Sequence, residues 1–66
     1  MAQQQAIGLL IGATMEEVEC ELILQTLVHC EGNRTHAART LGMSLRTLRY
    51  KIKQYSNKGI DVPAHH

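Results

Sequence analysis

Residues 32–55 read GNRTHAARTLGMSLRTLRYKIKQY, and this stretch determines the fold of the 66-residue chain. Gly42 divides it into two short segments with helical patterns, because glycine suits a left-handed turn between helices. Asn33 or Thr35 can cap the first segment, and Ser44 can cap the second. In the second segment apolar residues recur at the i, i+3, i+7 and i+10 positions of a helix. They predict one inward-facing stripe, formed by Leu45, Leu48, Ile52 and Tyr55.

The two segments together match the helix-turn-helix motif, in which two short helices are joined by a turn containing glycine. An alanine allows a close helix crossing, the glycine makes the turn, and apolar neighbours hold the second helix on the first. The residues with these roles are Ala38, Leu41, Gly42, Met43 and Leu48. The pattern departs from the motif once, because Lys51 occupies a site that is often apolar and the apolar residue follows at Ile52.

A longer helix is predicted upstream, from Thr14 to about Cys30. Thr14 with Glu17 three residues later forms a capping box, and Gly32 is expected to stop the helix. Apolar residues lie on two sides of this helix. Because two short helices can cover only one side, we expect a second copy of the chain to cover the other; the alternative is burial within its own fold. One stripe contains Met15, Val18 and Leu22, and the other contains Cys20, Ile23, Leu24, Leu27 and Cys30.

Composition narrows the fold and the setting of the chain. There is no Trp or Phe, so aliphatic residues must build the core, which favours helices over a sheet sandwich. Cys20 and Cys30 lie about 15 Å apart along one predicted helix, too far for a disulfide, and unpaired thiols indicate a reducing, cytoplasmic setting. The longest apolar stretch, residues 6–13, is too short to cross a bilayer, and no positive charge precedes it as in a signal peptide.

Charge is unevenly distributed along the chain, although the formal net charge is only +1. Five of the six acids lie at or before residue 31, and all seven cations follow it. With seven cations and one acid, Asp61, the second half has a formal charge of +6. Such asymmetry indicates a polyanionic partner. The cations are Arg34, Arg39, Arg46, Arg49, Lys51, Lys53 and Lys58.

The second helix of the motif has three cations on its outward face and a fourth at its edge, which indicates binding to double-stranded DNA. An α-helix fits the major groove, and the start of such a helix faces the base edges. We predict base contacts by Arg46 and Arg49, because arginine can donate two hydrogen bonds to guanine. Phosphate contacts are predicted for Thr47, Tyr50, Lys51 and Lys53, and for Asn33, Thr35 and His36 at the N-terminus of the preceding helix.

These residues resemble a known family. GNRTHAA at residues 32–38, LGMS at 41–44 and RTLRYKI at 46–52 are similar to the Fis-type helix-turn-helix. That domain closes the bacterial enhancer-binding proteins of the NtrC family, which activate sigma-54 RNA polymerase. The resemblance spans about residues 14–56. Residues 7–12 and 59–63 are more narrowly similar to the flagellar-gene regulators of the FlbD type.

The resemblance implies a homodimer whose long first helices pack together and whose two recognition helices enter successive major grooves. Leu45 departs from the family, which often has arginine there, while Arg46 follows it here. In such activators receiver and ATPase domains precede this module. The resemblance therefore implies a fragment that binds the enhancer but cannot activate transcription, with RNA polymerase contacted only through the missing upstream domains. The implied base contacts are near Ser44, Leu45 and Arg49, and the implied backbone contacts are near Asn33, Thr35, Thr47 and Tyr50.

The sequence therefore predicts a small all-α domain with a Fis-like helix-turn-helix at its C-terminal end, dimerising through its first helix. Residues 1–13 are expected to form a partly disordered arm, residues 14–56 the domain and residues 57–66 a tail. Within the arm, residues 7–12 are compatible with a strand, a turn of helix or an extended arm.

No pattern of residues indicates a catalytic site, a cofactor or small-molecule site, or a nucleotide-binding loop, so the chain is not expected to be an enzyme. A second hypothesis is a protein-interaction module that works through the two-sided first helix. A third is a structural zinc module using His29, Cys30 and His36, but their spacing fits no usual zinc pattern.

Overall fold

The computed structural model describes residues 11–64, which form three α-helices: α1, Met15–His29; α2, Arg34–Leu41; and α3, Leu45–Asn57. There is no strand within residues 11–64. The all-α prediction and the positions of the three helices are confirmed. Most of the predicted N-terminal arm, residues 1–10, lies outside the described residues.

Each helix begins with a side chain that accepts a hydrogen bond from a backbone amide three residues later. The amide–oxygen distance is 3.1 Å in all three cases. In α1 the box is reciprocal, since the amide of Thr14 donates to Glu17 Oε1 at 3.0 Å. These bonds satisfy amides that the first turn of a helix leaves without partners. The capping residues are Thr14, Asn33 and Ser44, so Asn33 rather than Thr35 caps α2.

Each helix also ends in the same type of turn, in which the amide of one residue donates to a carbonyl five residues earlier. These amide–carbonyl distances lie between 2.7 and 3.0 Å. The residue before that amide has a positive φ: 55° at Glu31, 73° at Gly42 and 82° at Gly59. The sequence predicted Gly32 as the residue that stops α1. The structure places the end of the helix one residue earlier, because the first left-handed residue is Glu31, and Gly32 follows it with a φ of 80°.

The core lies where the three helices meet. Ile23, Leu27 and Leu48 are fully buried, and Ala37 and Ala38 of α2 are buried between the other two helices. Because alanine has only a methyl side chain, α2 can approach both neighbours closely. Cys30 and Tyr55 complete the core, and a half-buried shell packs around it: Cys20, Leu24, Leu41, Met43, Leu45, Ile52, Ile60 and Val62.

The two apolar sides of α1 have different environments. The side with Ile23 and Leu27 faces the core. On the other side Met15 is 83% exposed and Leu22 is 56% exposed, while Val18 is half-buried. The chain therefore covers one side of α1 itself and leaves an apolar strip, Met15 and Leu22, at its surface.

Part of the segment that follows α3 packs against the rest of the fold. The sequence placed the tail at residues 57–66, but α3 continues through Asn57, and Ile60 and Val62 pack against the core. Arg34 of α2 holds this segment by donating a hydrogen bond to the carbonyl of Pro63 at 2.7 Å. The correction arises because apolar residues just beyond a helix C-terminus can fold back onto its last turn.

Glu31→Gly is expected to raise the free energy of unfolding by about 1 kcal/mol, because glycine adopts the left-handed region without the penalty of a Cβ atom. Gly42→Ala is the matched control of opposite sign. A Cβ atom at Gly42 would meet nothing within 4 Å, so its loss of about 1 kcal/mol comes from the backbone alone. Urea unfolding followed by circular dichroism measures both variants. Unchanged or lower stability of Glu31→Gly would contradict the left-handed conformation at this residue.

Stability is expected to fall at alkaline pH because of Tyr55. Burial raises the pKa of its phenol from 10.0 to about 12, and the nearby Cys20, Glu19 and Glu16 add to the shift. Since the folded-state pKa is the higher one, this contribution to stability is complete below pH 10 and is lost as the pH rises from 10 towards 12. Urea midpoints of a Tyr50→Phe variant, in which Tyr55 is the remaining tyrosine, should decrease across that range. Tyr55→Phe should lack this decrease; an identical decrease in both would assign it to other groups.

Candidate nucleic-acid interface

The outward face of α3 is polar and cationic. Arg46, Tyr50 and Lys53 follow one another at the i, i+4 and i+7 positions and are exposed, on the side of the helix opposite Leu48 and Tyr55. Tyr50 is 63% exposed, so its phenol is open to solvent on this face. At 13 residues, α3 is roughly 20 Å long, long enough to lie across a groove of double-stranded DNA.

The start of α3 is held rigidly. Ser44 Oγ accepts from the amide of Thr47 at 3.1 Å and donates to Thr47 Oγ1 at 2.8 Å. The two side chains therefore hold each other in place at the N-terminal end of α3, where both are exposed. Leu45, between them in sequence, is half-buried and packs against the core. Part of the Leu45 side chain is therefore buried in the domain, whereas its neighbour Arg46 is exposed.

The N-terminus of α2 lies beside the middle of α3. Arg49 lines a shallow concavity together with Asn33, Thr35, Arg34 and Ile52. Asn33 uses its side-chain oxygen to cap the helix, which leaves its side-chain nitrogen, Nδ2, able to donate. The first-turn amides of a helix also attract anions. The structure therefore brings together an arginine from α3 and the donors at the start of α2.

Ion pairs divide the cations into two groups. Lys51 of α3 pairs with Glu19 of α1, and Lys58, directly after α3, has its Nζ 2.8 Å from Oε1 of Glu16 in α1. The hydrogen bond between Lys58 and Glu16 lowers the pKa of the carboxyl and raises that of the amine. The other α3 cations, Arg46, Arg49 and Lys53, make no ion pair within residues 11–64. Positive charge is neutralised on the α1 side and remains available on the outward side.

Lys51 consequently differs from the other predicted contact residues. Its side chain is only 26% exposed and faces Glu19 of α1, whereas the sequence grouped it with the phosphate contacts. The physical reason is its position beside Ile52, at the edge of the inward stripe, where the acidic α1 supplies the nearest carboxylate. The other predicted contacts of α3 between residues 46 and 53 are exposed, and so are Thr35 and His36 of α2. These α3 residues are Arg46, Thr47, Arg49, Tyr50 and Lys53.

Two polar residues outside the predicted set of contacts share these surfaces. Arg39 is exposed and borders a groove with Asn33, Thr35 and His36; its spacing of three and four residues from His36 and Thr35 would have placed it on their face. Gln54 is exposed on α3, and its Nε2 donates to Tyr50 Oη at 3.2 Å. Its i+4 spacing from Tyr50 was the available signal.

Residues 11–64 contain no group of three or more His, Cys, Asp or Glu side chains arranged to hold a metal ion. Cys20 and Cys30 are both free thiols. None of the three helices is long and apolar enough to cross a membrane.

Comparison with known proteins gives consistent matches. A family model described as "Bacterial regulatory protein, Fis family" matches residues 14–55. The chain is 56% identical over 63 residues to the transcriptional regulatory protein FlbD of Caulobacter vibrioides, which covers 96% of this chain and 14% of that protein. It is 44% identical over 64 residues to the response regulator protein FleR of Pseudomonas aeruginosa, covering 97% of this chain and 13% of FleR.

The regulatory protein AtoC of Escherichia coli is 42% identical over 48 residues, which is 73% of this chain and 10% of AtoC. The chain thus spans about one seventh of the length of FlbD and of FleR. No solved structure gave a significant match. Because the family model matches the chain from the N-cap of α1 at Thr14 to Tyr55 in α3, the chain belongs to the Fis family of bacterial regulatory proteins.

Proposed function

We propose that this chain is a sequence-specific DNA-binding domain that recognises an enhancer site for a sigma-54-dependent transcriptional activator. The observation that carries the proposal is the outward face of α3, where Arg46, Arg49 and Lys53 are exposed and make no ion pair within residues 11–64. A helix with this charge fits the major groove of DNA, and the donors at the start of α2 are suited to a flanking phosphate.

We assign the contacts by position on this surface. Arg49, beside the start of α2, and Arg46, in the first turn of α3, are the base-reading arginines, with Ser44 and Leu45 close to the same bases. Backbone contacts hold the helix in register and carry no sequence information. They are assigned to Asn33, Thr35, His36, Thr47, Tyr50 and Lys53. Lys51 is the weakest candidate, because it already pairs with Glu19.

The functional unit in this proposal is a homodimer. The strip of Met15 and Leu22 leaves large apolar side chains in water, and burial of such a strip against a second copy is favourable. A two-fold symmetric pair would place two α3 helices in successive major grooves, about one helical turn of DNA apart. Selection of bound duplexes from a random pool tests this arrangement: symmetric half-sites at that spacing support it, and a single unpaired half-site contradicts it.

The wider context rests on the similarity to FlbD and to FleR, of which this chain corresponds to a small part. We propose that flagellar genes are among the targets, that the protein acts in the cytoplasm, and that RNA polymerase is contacted through other domains of the activator. The names of these relatives describe regulators, which supports a binding role rather than catalysis for the chain. Within it, we define the binding domain as residues 14–63, since Ile60 and Val62 pack on the core.

A protein-interaction module working through the exposed side of α1 is the competing function. Salt separates the two, because DNA binding releases condensed counterions and its affinity falls with a logarithmic slope of about −0.9 per neutralised phosphate. Titration of the chain with a duplex at increasing salt should give a slope several times that value, because several phosphates are neutralised together. No binding to any duplex at low salt would refute the proposed function.

Arg49→Ala is expected to weaken binding to the selected duplex by about 1–3 kcal/mol and to relax the preference at one base pair. Lys58→Ala is the matched control, because Lys58 is a cation of the same region that pairs with Glu16 of α1; its affinity should be unchanged. Fluorescence anisotropy with the selected duplex and a random duplex measures both variants. Equal losses on the two duplexes would make Arg49 a phosphate contact instead of a base reader.

Leu22→Glu is expected to dissociate the dimer without unfolding the domain, because Leu22 is exposed within one chain. Leu27→Glu should unfold the chain, since Leu27 is 0% exposed and a buried unpaired charge is strongly unfavourable. Thr40→Glu, at an exposed site of α2, is the control that should change neither property. Analytical ultracentrifugation and circular dichroism report the two properties separately. A wild-type chain that sediments as a monomer at micromolar concentration would contradict the dimer.

A further inference from the structure

Arg34 is the one arginine whose side chain is held by backbone groups of the fold within the described residues. It is the first residue of α2 and is half-buried. Its Nη1 donates to the carbonyl of Gly32 at 2.7 Å and to the carbonyl of Pro63 at 2.7 Å. An Nη atom has two hydrogens, so one nitrogen can donate to both acceptors. Charge-assisted hydrogen bonds of this kind are stronger than neutral ones.

The two carbonyls belong to parts of the chain that are far apart in sequence. Gly32 is in the turn between α1 and α2, directly before Asn33, whose side chain caps α2. Pro63 is 29 residues beyond Arg34. Between α3 and Pro63, the amide of Ile60 donates to the carbonyl of Tyr55 at 3.0 Å, and Val62 packs against the core. The segment of residues 60–63 therefore runs from the end of α3 to the start of α2 and is anchored at both ends.

Arg34 also lines the concavity that contains Asn33, Thr35 and Arg49, so it lies beside the donors assigned to DNA phosphate. Two roles are open to it there: it can meet a phosphate itself, or it can hold those donors in place. The second role agrees with the geometry, since both hydrogens of Nη1 are used in bonds of 2.7 Å to the carbonyls of Gly32 and Pro63, which fix the position of the side chain. A flexible, solvated arginine would have neither bond.

We propose that Arg34 is a positioning residue for DNA binding, which ties the turn before α2 to residues 60–63 and so fixes Asn33 and Thr35 at the phosphate site. The expected effect on DNA binding rests on the proposed function. The link between Arg34 and residues 60–63 rests on the fold alone. It makes the segment of residues 60–63 part of the DNA-binding unit, although that segment contacts no DNA itself.

The binding test compares wild type, Arg34→Gln, a chain ending at Val62, and the two changes combined. Each single change should weaken duplex binding about tenfold, equivalent to 1.4 kcal/mol, at every salt concentration and with the wild-type salt slope. Lys53 is a proposed phosphate contact, so Lys53→Ala is the control, and the magnitude of its salt slope should decrease by about 0.9. The combined variant should bind no more weakly than either single one, because both changes break the same link.

A smaller salt slope for Arg34→Gln, with losses that add in the combined variant, would overturn the inference and make Arg34 a phosphate contact. Unchanged affinity of either single variant would also overturn it.

A second readout does not depend on DNA. Amide hydrogen exchange should accelerate in both single variants at Asn33, His36 and Ala37. The amide of Asn33 donates to the carbonyl of Cys30 in the turn before α2, and the other two amides donate to oxygens of Asn33. The amide of Leu48, bonded to Ser44 at the other end of the motif, should keep its protection and thereby exclude global unfolding. If wild type binds no duplex, the proposed function fails, while these exchange rates still support or refute the link between Arg34 and residues 60–63.

Discussion

The packing of α2 between α1 and α3 is the contact on which the rest of the structure depends. α2 has eight residues, too few for a helix that is stable on its own, and it contributes Ala37 and Ala38 to the core. Their small side chains let Ile23 and Leu27 of one neighbour and Leu48 of the other close around the short helix. Because α3 lies on α2, this packing also determines which side of α3 turns outward.

Charge neutralisation follows from the same arrangement. The acidic α1 lies along one edge of α3, and its carboxylates pair with Lys51 and Lys58. The cations on the opposite side, among them Arg46 and Lys53, have no such partner within residues 11–64. A chain with a formal charge of only +1 can therefore present a cationic face to a polyanion, because its acids and bases lie on different surfaces of one small domain.

The helix boundaries were predictable because the groups that determine them act over a few residues. A capping side chain reaches an amide three positions away, and the left-handed turns at Gly42 and Gly59 close hydrogen bonds across five. Glu31 is the exception, since the left-handed residue there is not a glycine. The periodicity of α3 likewise predicted the buried Leu48 and Tyr55, because a helix repeats its faces regularly.

The sequence by itself determined the three helices, their caps, the helix-turn-helix motif and the separation of acidic from basic residues along the chain. Its motifs resemble the family to which the chain belongs. The tertiary structure decided which stripe of α1 enters the core, that Lys51 faces Glu19, and that Arg34 holds the segment ending at Pro63. These features depend on groups far apart in sequence, whose meeting is set by how the helices cross. Local rules extend over about one helical turn, so they identify the residues of a surface but not which of its charges another helix will neutralise.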